Sequence, residues 1–183
     1  MSDPQAHVVI VGAGHAGGTV AALLRQYGHA GPITLIGDEP IPPYQRPPLS
    51  KAWLKGEADA DSLQLKPSAW YEEAGVSLRL GGVAVSINRG AKTVTLASGE
   101  VIAYDYLILA TGARARALPL PGADLAGVLA LRTAADAEAL KGALGPGKRL
   151  AVVGGGYVGL EAAASAMALG GHATILEREP RVL

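Results

Sequence analysis

Short, wholly apolar runs broken by glycine turns set the rhythm of this chain. Val8 to Val11 reads VVIV, a run of the kind that forms a strand buried on both faces. Glycines at 12, 14, 17 and 18 follow, and the spacing predicts a helix over 18–26. After Gly28 a second apolar run predicts a strand over 33–36, closed by Gly37-Asp38-Glu39. The same order returns near the end of the chain: a strand over 150–153, glycines at 154, 155, 156 and 159, a helix over 160–169 and a strand over 173–176 ended by Glu177. Repetition of strand, glycine turn, helix and strand predicts an α/β chain built from two like units.

The stretch between the two turns changes period twice. Residues 39–50 hold five prolines in twelve positions, which predicts a stiff extended loop, neither helix nor central strand. Residues 50–54 begin to look helical, with Lys51 where the loop ends. From 76 to 111 strands are expected at 76–80, 83–87, 93–96, 101–103 and 106–110, linked by Asn88-Arg89-Gly90 and Ser98-Gly99-Glu100. A small β-meander inserted as the crossover between parallel strands fits that pattern. The run 107–110 is expected to be buried on both faces, and Thr111-Gly112 after it lets backbone approach a ligand closely. Residues 113–122 read as a crossing between domains.

Both glycine turns match G-x-G-x-x-G in the strand–helix context that gives the pattern its meaning. The first glycine makes the tight turn, the second lets backbone approach a pyrophosphate, and the third lets helix pack on strand. The phosphates then face free N–H groups at a helix N-terminus. In the first turn the residues are Gly12, Ala13, Gly14, His15, Ala16 and Gly17, with the His15 side chain read as packing. Asp38 comes after the helix and the second strand, placed to accept hydrogen bonds from a ribose. The second turn offers Gly154, Gly156, Tyr157 and Gly159, and Glu177 follows its own helix and strand in the same way. Two dinucleotides in one chain suggest a hydride passing from a nicotinamide to a flavin. Glu177 favours NADH, since a carboxylate accepts from the 2′-hydroxyl and repels a 2′-phosphate; Arg178 and Arg181 beside it pull the other way.

Composition narrows the classes further. Lysine plus arginine and aspartate plus glutamate number 16 each, so net charge gives no basic footprint for nucleic acid or for a membrane surface. The glycines of the first turn break the longest uncharged stretch, so no spanning segment is expected, and Met1-Ser2-Asp3-Pro4 lacks a positive leader. An intracellular, cytoplasmic protein is the expectation. The four histidines show no metal-ligand spacing, and there is no cysteine, which excludes a thiolate metal site and a redox disulfide within this sequence.

Four stretches, VVIVGAGHAGG at 8–18, LIGDEPIPPYQRPPLSKAWL at 35–54, YDYLILATGARARALPLPG at 104–122 and LAVVGGGYVGLEAAA at 150–164, resemble the FAD-dependent pyridine-nucleotide oxidoreductases. The likeness is to their glutathione-reductase-like fold, and within it to the ferredoxin reductase branch of putidaredoxin and rhodocoxin reductases. The RPPLSK segment is its most specific part. The resemblance implies FAD on residues 1–115, the N-terminal part of an FAD-binding domain, and NADH on 116–183, the start of an NAD-binding domain. It implies that the first turn takes the FAD pyrophosphate and Asp38 the adenosine ribose. Arg46, Lys51, Ala84, Thr111, Gly112 and Arg132 would line the same cofactor. Lys51 would lie near flavin N5 and pair with Glu161, the cation stabilising reduced flavin and the carboxylate keeping the lysine charged and placed.

With no cysteine pair after the first unit, flavin would be the last carrier in the polypeptide and the acceptor external. The resemblance implies a 2Fe–2S ferredoxin of an oxygenase system, cytochrome P450 or dioxygenase. The second unit stops one βαβ in, and the family is more than twice as long, so the chain reads as an N-terminal portion with an unpaired strand at 173–176. Alternatives are a non-catalytic nucleotide-binding module, a rubredoxin reductase and an apoptosis-inducing-factor-like oxidoreductase.

Overall fold

The computed structural model describes residues 3–183. Along the chain come β1 Val8–Val11, α1 His15–Gln26, β2 Ile33–Gly37, a 3₁₀ turn Pro47–Ser50, α2 Ala52–Lys55, α3 Ala60–Leu63 and α4 Ser68–Glu73. Then follow β3 Val76–Leu80, β4 Ala84–Asn88, β5 Thr93–Leu96, β6 Val101–Ala103 and β7 Tyr106–Leu109. The last elements are α5 Ala134–Ala143, β8 Arg149–Val153, α6 Tyr157–Ala168 and β9 His172–Leu176. The chain divides into two compact units: residues up to Gln45 with Gln64–Ala113, and Arg46–Leu63 with Arg114–Leu183.

Unit one is a parallel four-stranded sheet in the order β3-β2-β1-β7, with β4-β5-β6 as a separate antiparallel sheet. Strand alternation sends the residues of β1 into two cores. Val8 and Ile10 pack with Ala21 of α1, Tyr71 of α4, Ile33, Leu35 and Val76. Val9 and Val11 pack with Ile36 and with Val94, Leu96 and Ile102 of the meander. Helices therefore cover one face of the sheet and the meander covers the other. Neither apolar core would tolerate a charge in β1, and its four apolar residues are the physical reason the sheet forms here.

Helices α1 and α6 each begin three residues before the expected start, since the end of each glycine turn is already helical, and two other details differ from the sequence expectation. The run 107–110 is not buried on both faces, and Leu109 is 61% exposed, because β7 is an edge of the sheet as described. The proline-rich loop is not extended throughout: its last four residues close a 3₁₀ turn with prolines in the first two positions, where a fixed φ suits helix entry and no N–H is needed. A bridge between Tyr44 and Gln64, with Leu65 N–H donating to the Pro43 carbonyl at 3.0 Å, brings the chain back into unit one after the excursion of residues 46–63.

Unit two has a parallel β8-β9 pair joined by α6, together with α5 and the excursion. A capping box starts α5: Thr133 Oγ1 accepts the Asp136 N–H at 3.1 Å, and Asp136 Oδ2 accepts the Thr133 N–H at 2.8 Å. The sequence boundary at 115/116 is a linear one, whereas residues 46–63 pack with the later segment. Among the described residues no helix is long and apolar enough to cross a membrane.

Candidate functional site

In unit one the first turn is built by backbone. Gly12 sits at φ 116°, a conformation only glycine adopts readily, and its N–H donates to the Ile36 carbonyl at 2.8 Å. A Cβ on Gly12 would overlap the Ala110 carbonyl, and one on Gly17 would overlap the carbonyl of Gly12. Gly18, which stands outside the glycine motif, lies under the proline-rich loop: an added Cβ would meet Pro43 at 2.6 Å. Gly14 is the N-cap of helix α1, which has no side-chain cap and no acid in its first turn. Its leading N–H groups thus face outward with the positive end of the helix dipole. The His15 side chain is exposed, not packed, as the first residue of α1 outside both cores. Asp38 is exposed one residue past β2, Ala84 opens β4 at half burial, and Thr111 and Gly112 are exposed beyond β7, with Gly112 at φ 69°.

In unit two the same construction recurs. Gly154 takes φ 105° and donates its N–H to the Leu176 carbonyl at 2.9 Å. A Cβ on Gly159 would run into the Gly154 carbonyl, while Gly154 and Gly156 face open space. Gly156 is the N-cap of helix α6, again without a side-chain cap. Tyr157 is 74% exposed. Glu177 Oε2 accepts the Gly155 N–H at 2.6 Å, and Oε1 accepts from Arg178 and Glu179. The N–H groups of Glu179, Gly155 and Arg178 hold this carboxyl below its ordinary range. The matching bonds of Gly12 to Ile36 and Gly154 to Leu176 make Glu177 the counterpart of Gly37, with Asp38 one residue further on. The two acids picked from the sequence therefore occupy different positions.

Both turns fit a dinucleotide pyrophosphate. Each has crowded glycines where backbone closes on backbone, and an uncapped helix N-terminus where an anion would sit.

Also within unit two, Lys51 Nζ and Glu161 Oε1 form an ion pair at 3.1 Å, and Ser50 Oγ donates to Glu161 Oε2 at 2.5 Å. The Ser50 hydroxyl holds the Glu161 carboxyl below its usual range; burial opposes it, and the Lys51 ammonium adds to the lowering. Arg46 donates to the Arg132 carbonyl at 2.6 Å, while the Arg132 N–H donates to Asp136 Oδ2 at 3.0 Å. The excursion thus brings Arg46 to Arg132 and Lys51 to Glu161. Ser50 was missed by sequence reasoning, because a serine after two prolines and a leucine carries no signal of a partner so distant along the chain.

The family model described as pyridine nucleotide-disulphide oxidoreductase matches residues 6–183. The chain belongs to that family. It is 54% identical over 176 residues to the probable ferredoxin reductase CtmF of Castellaniella defragrans, covering 96% of this chain and 43% of that protein. It is 46% identical over 176 residues to a rubredoxin-NAD(+) reductase of Pseudomonas putida, covering 96% of this chain and 46% of that protein. Among solved structures it is similar to the covalent putidaredoxin reductase–putidaredoxin complex, with TM-score 0.90, 44% identity and coverage of 97% and 43% of the two chains. The chain spans less than half the length of these relatives. Disulphide chemistry in the family's description has no cysteine to act through in this sequence.

Proposed function

We propose that this chain carries the nucleotide-binding machinery of an NADH-dependent flavoprotein reductase that supplies electrons to a 2Fe–2S ferredoxin of an oxygenase system. The observation that carries this reading is the pair of like glycine turns, Gly12–Gly17 and Gly154–Gly159, on two separate sheets of one chain. Similarity to a probable ferredoxin reductase and to a reductase in complex with putidaredoxin supports the choice of acceptor.

In this reading Gly12, Ala13, Gly14, His15, Ala16 and Gly17 offer backbone to the FAD pyrophosphate and Asp38 its carboxylate to the adenosine ribose. Ala84, Thr111 and Gly112, with Arg46 and Arg132, line the same cofactor. Gly154, Gly156, Tyr157 and Gly159 receive the NADH pyrophosphate, and Glu177 accepts from the adenosine ribose. Lys51 holds a positive charge on the flavin side, and Glu161 keeps that lysine charged and in place. FAD held there would supply the conversion of a two-electron hydride from NADH into single electrons for an iron–sulfur protein. We place residues 1–115 in the FAD-binding domain, 116–183 in the NAD-binding domain, and the protein's work in the cytoplasm, where NADH is supplied.

The test is spectroscopic. The purified chain, mixed with FAD, is expected to turn yellow, bleach on anaerobic addition of NADH, and recover colour with an oxidised 2Fe–2S ferredoxin. Failure to bleach overturns the reductase reading; failure to take up FAD leaves a nucleotide-binding module. A rubredoxin acceptor is the second reading, favoured by the similarity to the Pseudomonas putida protein, and faster recovery with rubredoxin than with ferredoxin would select it.

A further inference from the structure

Helix α6 places Glu161 and Ser165 four residues apart, so both side chains project from one face. Both engage the same residue. Ser50 Oγ donates to Glu161 Oε2 at 2.5 Å, and Ser165 Oγ donates to the Ser50 carbonyl at 2.9 Å. Ser50 and Ser165 are buried, at 5% and 4% exposure. Helix α6 thus grips Ser50 by side chain and by main chain, and Ser50 ends the 3₁₀ turn immediately before Lys51.

The ion pair by itself is a poor positioning device. The Lys51 side chain is 55% exposed and that of Glu161 29%, and pairs in such surroundings hold a flexible lysine weakly. A buried hydroxyl donating to a carboxylate is stronger and directional. It also occupies one carboxylate oxygen, leaving the other, Oε1, for Lys51.

We propose that Ser50 is a positioning residue, latched to α6 through Glu161 and Ser165, which fixes the Glu161 carboxylate and through it the ammonium of Lys51. The assignment of a purpose to that ammonium rests on the flavin-side reading of Lys51; the latch itself does not. Its consequence is that losing the Ser50 hydroxyl releases two groups, the Glu161 carboxylate directly and the Lys51 ammonium through it.

The experiment is an NMR titration of the Glu161 side-chain carboxyl in the 183-residue chain, assigned with Glu161→Gln, alongside the order of the Lys51 side chain. In Ser50→Ala the Glu161 midpoint is expected to rise toward the ordinary glutamate value and Lys51 to become as mobile as a solvated lysine. Ser50→Thr, which keeps the hydroxyl, is expected to restore both. Should Ser50→Ala not fold, Ser50→Cys keeps nearly the same volume with a weaker donor and is expected to give a smaller rise of the same sign. An unchanged midpoint in the alanine or cysteine variant, or a Lys51 side chain no more mobile in the alanine variant than in the wild type, overturns the proposal. Failure of the functional reading shows elsewhere, as a wild-type chain that takes up no FAD, and alters neither titration.

Discussion

Glu177, the residue after β9, reaches back to accept the Gly155 N–H at 2.6 Å, tying the end of one strand to the turn that follows the other. In unit one the counterpart of Glu177 is Gly37, and a Cβ there would strike the Ala13 side chain. The two turns solve the same packing problem with opposite residue sizes: a small strand end against Ala13, and a large one against Gly155. Glu177 and Asp38 are both exposed, and Glu177 is held by three backbone N–H groups.

Glu177→Gln is expected to weaken NADH binding roughly tenfold and NADPH binding much less, since the amide loses the charge that favours a 2′-hydroxyl over a 2′-phosphate. The folded-state pKa is lowered, so the carboxylate's contribution to the turn is present above the ordinary glutamate range. It is lost as pH falls through the lower, folded value. Isothermal titration with both nucleotides, and amide shifts of Gly155 followed on acidification, check the two parts.

Gly17→Ala is expected to destabilise the chain by about 1–3 kcal/mol and to abolish FAD uptake, because the new Cβ falls on the Gly12 carbonyl, a backbone group that no side-chain movement can clear. Gly142→Ala is the contrasting substitution. It lies in α5 with open space where a Cβ would go, and is expected to stabilise by about 0.5–1 kcal/mol with FAD uptake unchanged. Urea denaturation and flavin absorbance after gel filtration read both.

Thr133→Ala removes the hydroxyl half of the α5 capping box and is expected to cost about 1 kcal/mol. Burial works against the Asp136 carboxylate, but the Thr133 and Arg132 hydrogen bonds and the charge of Arg46 outweigh it and hold the group below its ordinary range. The cap therefore acts above the ordinary aspartate pKa and weakens as pH drops through the folded value. Hydrogen exchange of α5 amides is expected to quicken in the variant at neutral pH and in the wild type on acidification.

Arg25→Met is expected to cost roughly 2–4 kcal/mol and to loosen the β3 end of unit one. The guanidinium donates to the carbonyls of Ala74 at 2.6 Å, His29 at 2.7 Å, Gly31 at 2.8 Å and Gly75 at 3.0 Å, acceptors that no aliphatic side chain can serve. Arg25→Lys is expected to recover only part of the loss, since an ammonium lacks the fork that reaches separate loops. Thermal unfolding of the three proteins gives the ranking.

Local pattern carried most of the architecture. Val8–Val11 with its glycine turn, and the equivalent residues of the second unit, declare themselves because apolar runs and glycine spacing are properties of adjacent residues. The meander was legible from its turn residues for the same reason. Less legible was Leu109, since an apolar run looks the same in an edge strand as in a central one. His15 looked like a packing residue for want of any sign that α1 would turn it to solvent.

The sequence by itself determined two like strand, glycine-turn and helix units and the absence of cysteine from these 183 residues. Tertiary structure alone decided that residues 46–63 join the later unit and that Ser50 meets Glu161 from far along the chain. It also decided that Glu177 aligns with Gly37 and not with Asp38. Strand and turn preferences act over a few neighbouring residues, whereas these pairings depend on which surfaces the folded chain brings together. A buried hydroxyl then takes the partner that packing leaves within its reach.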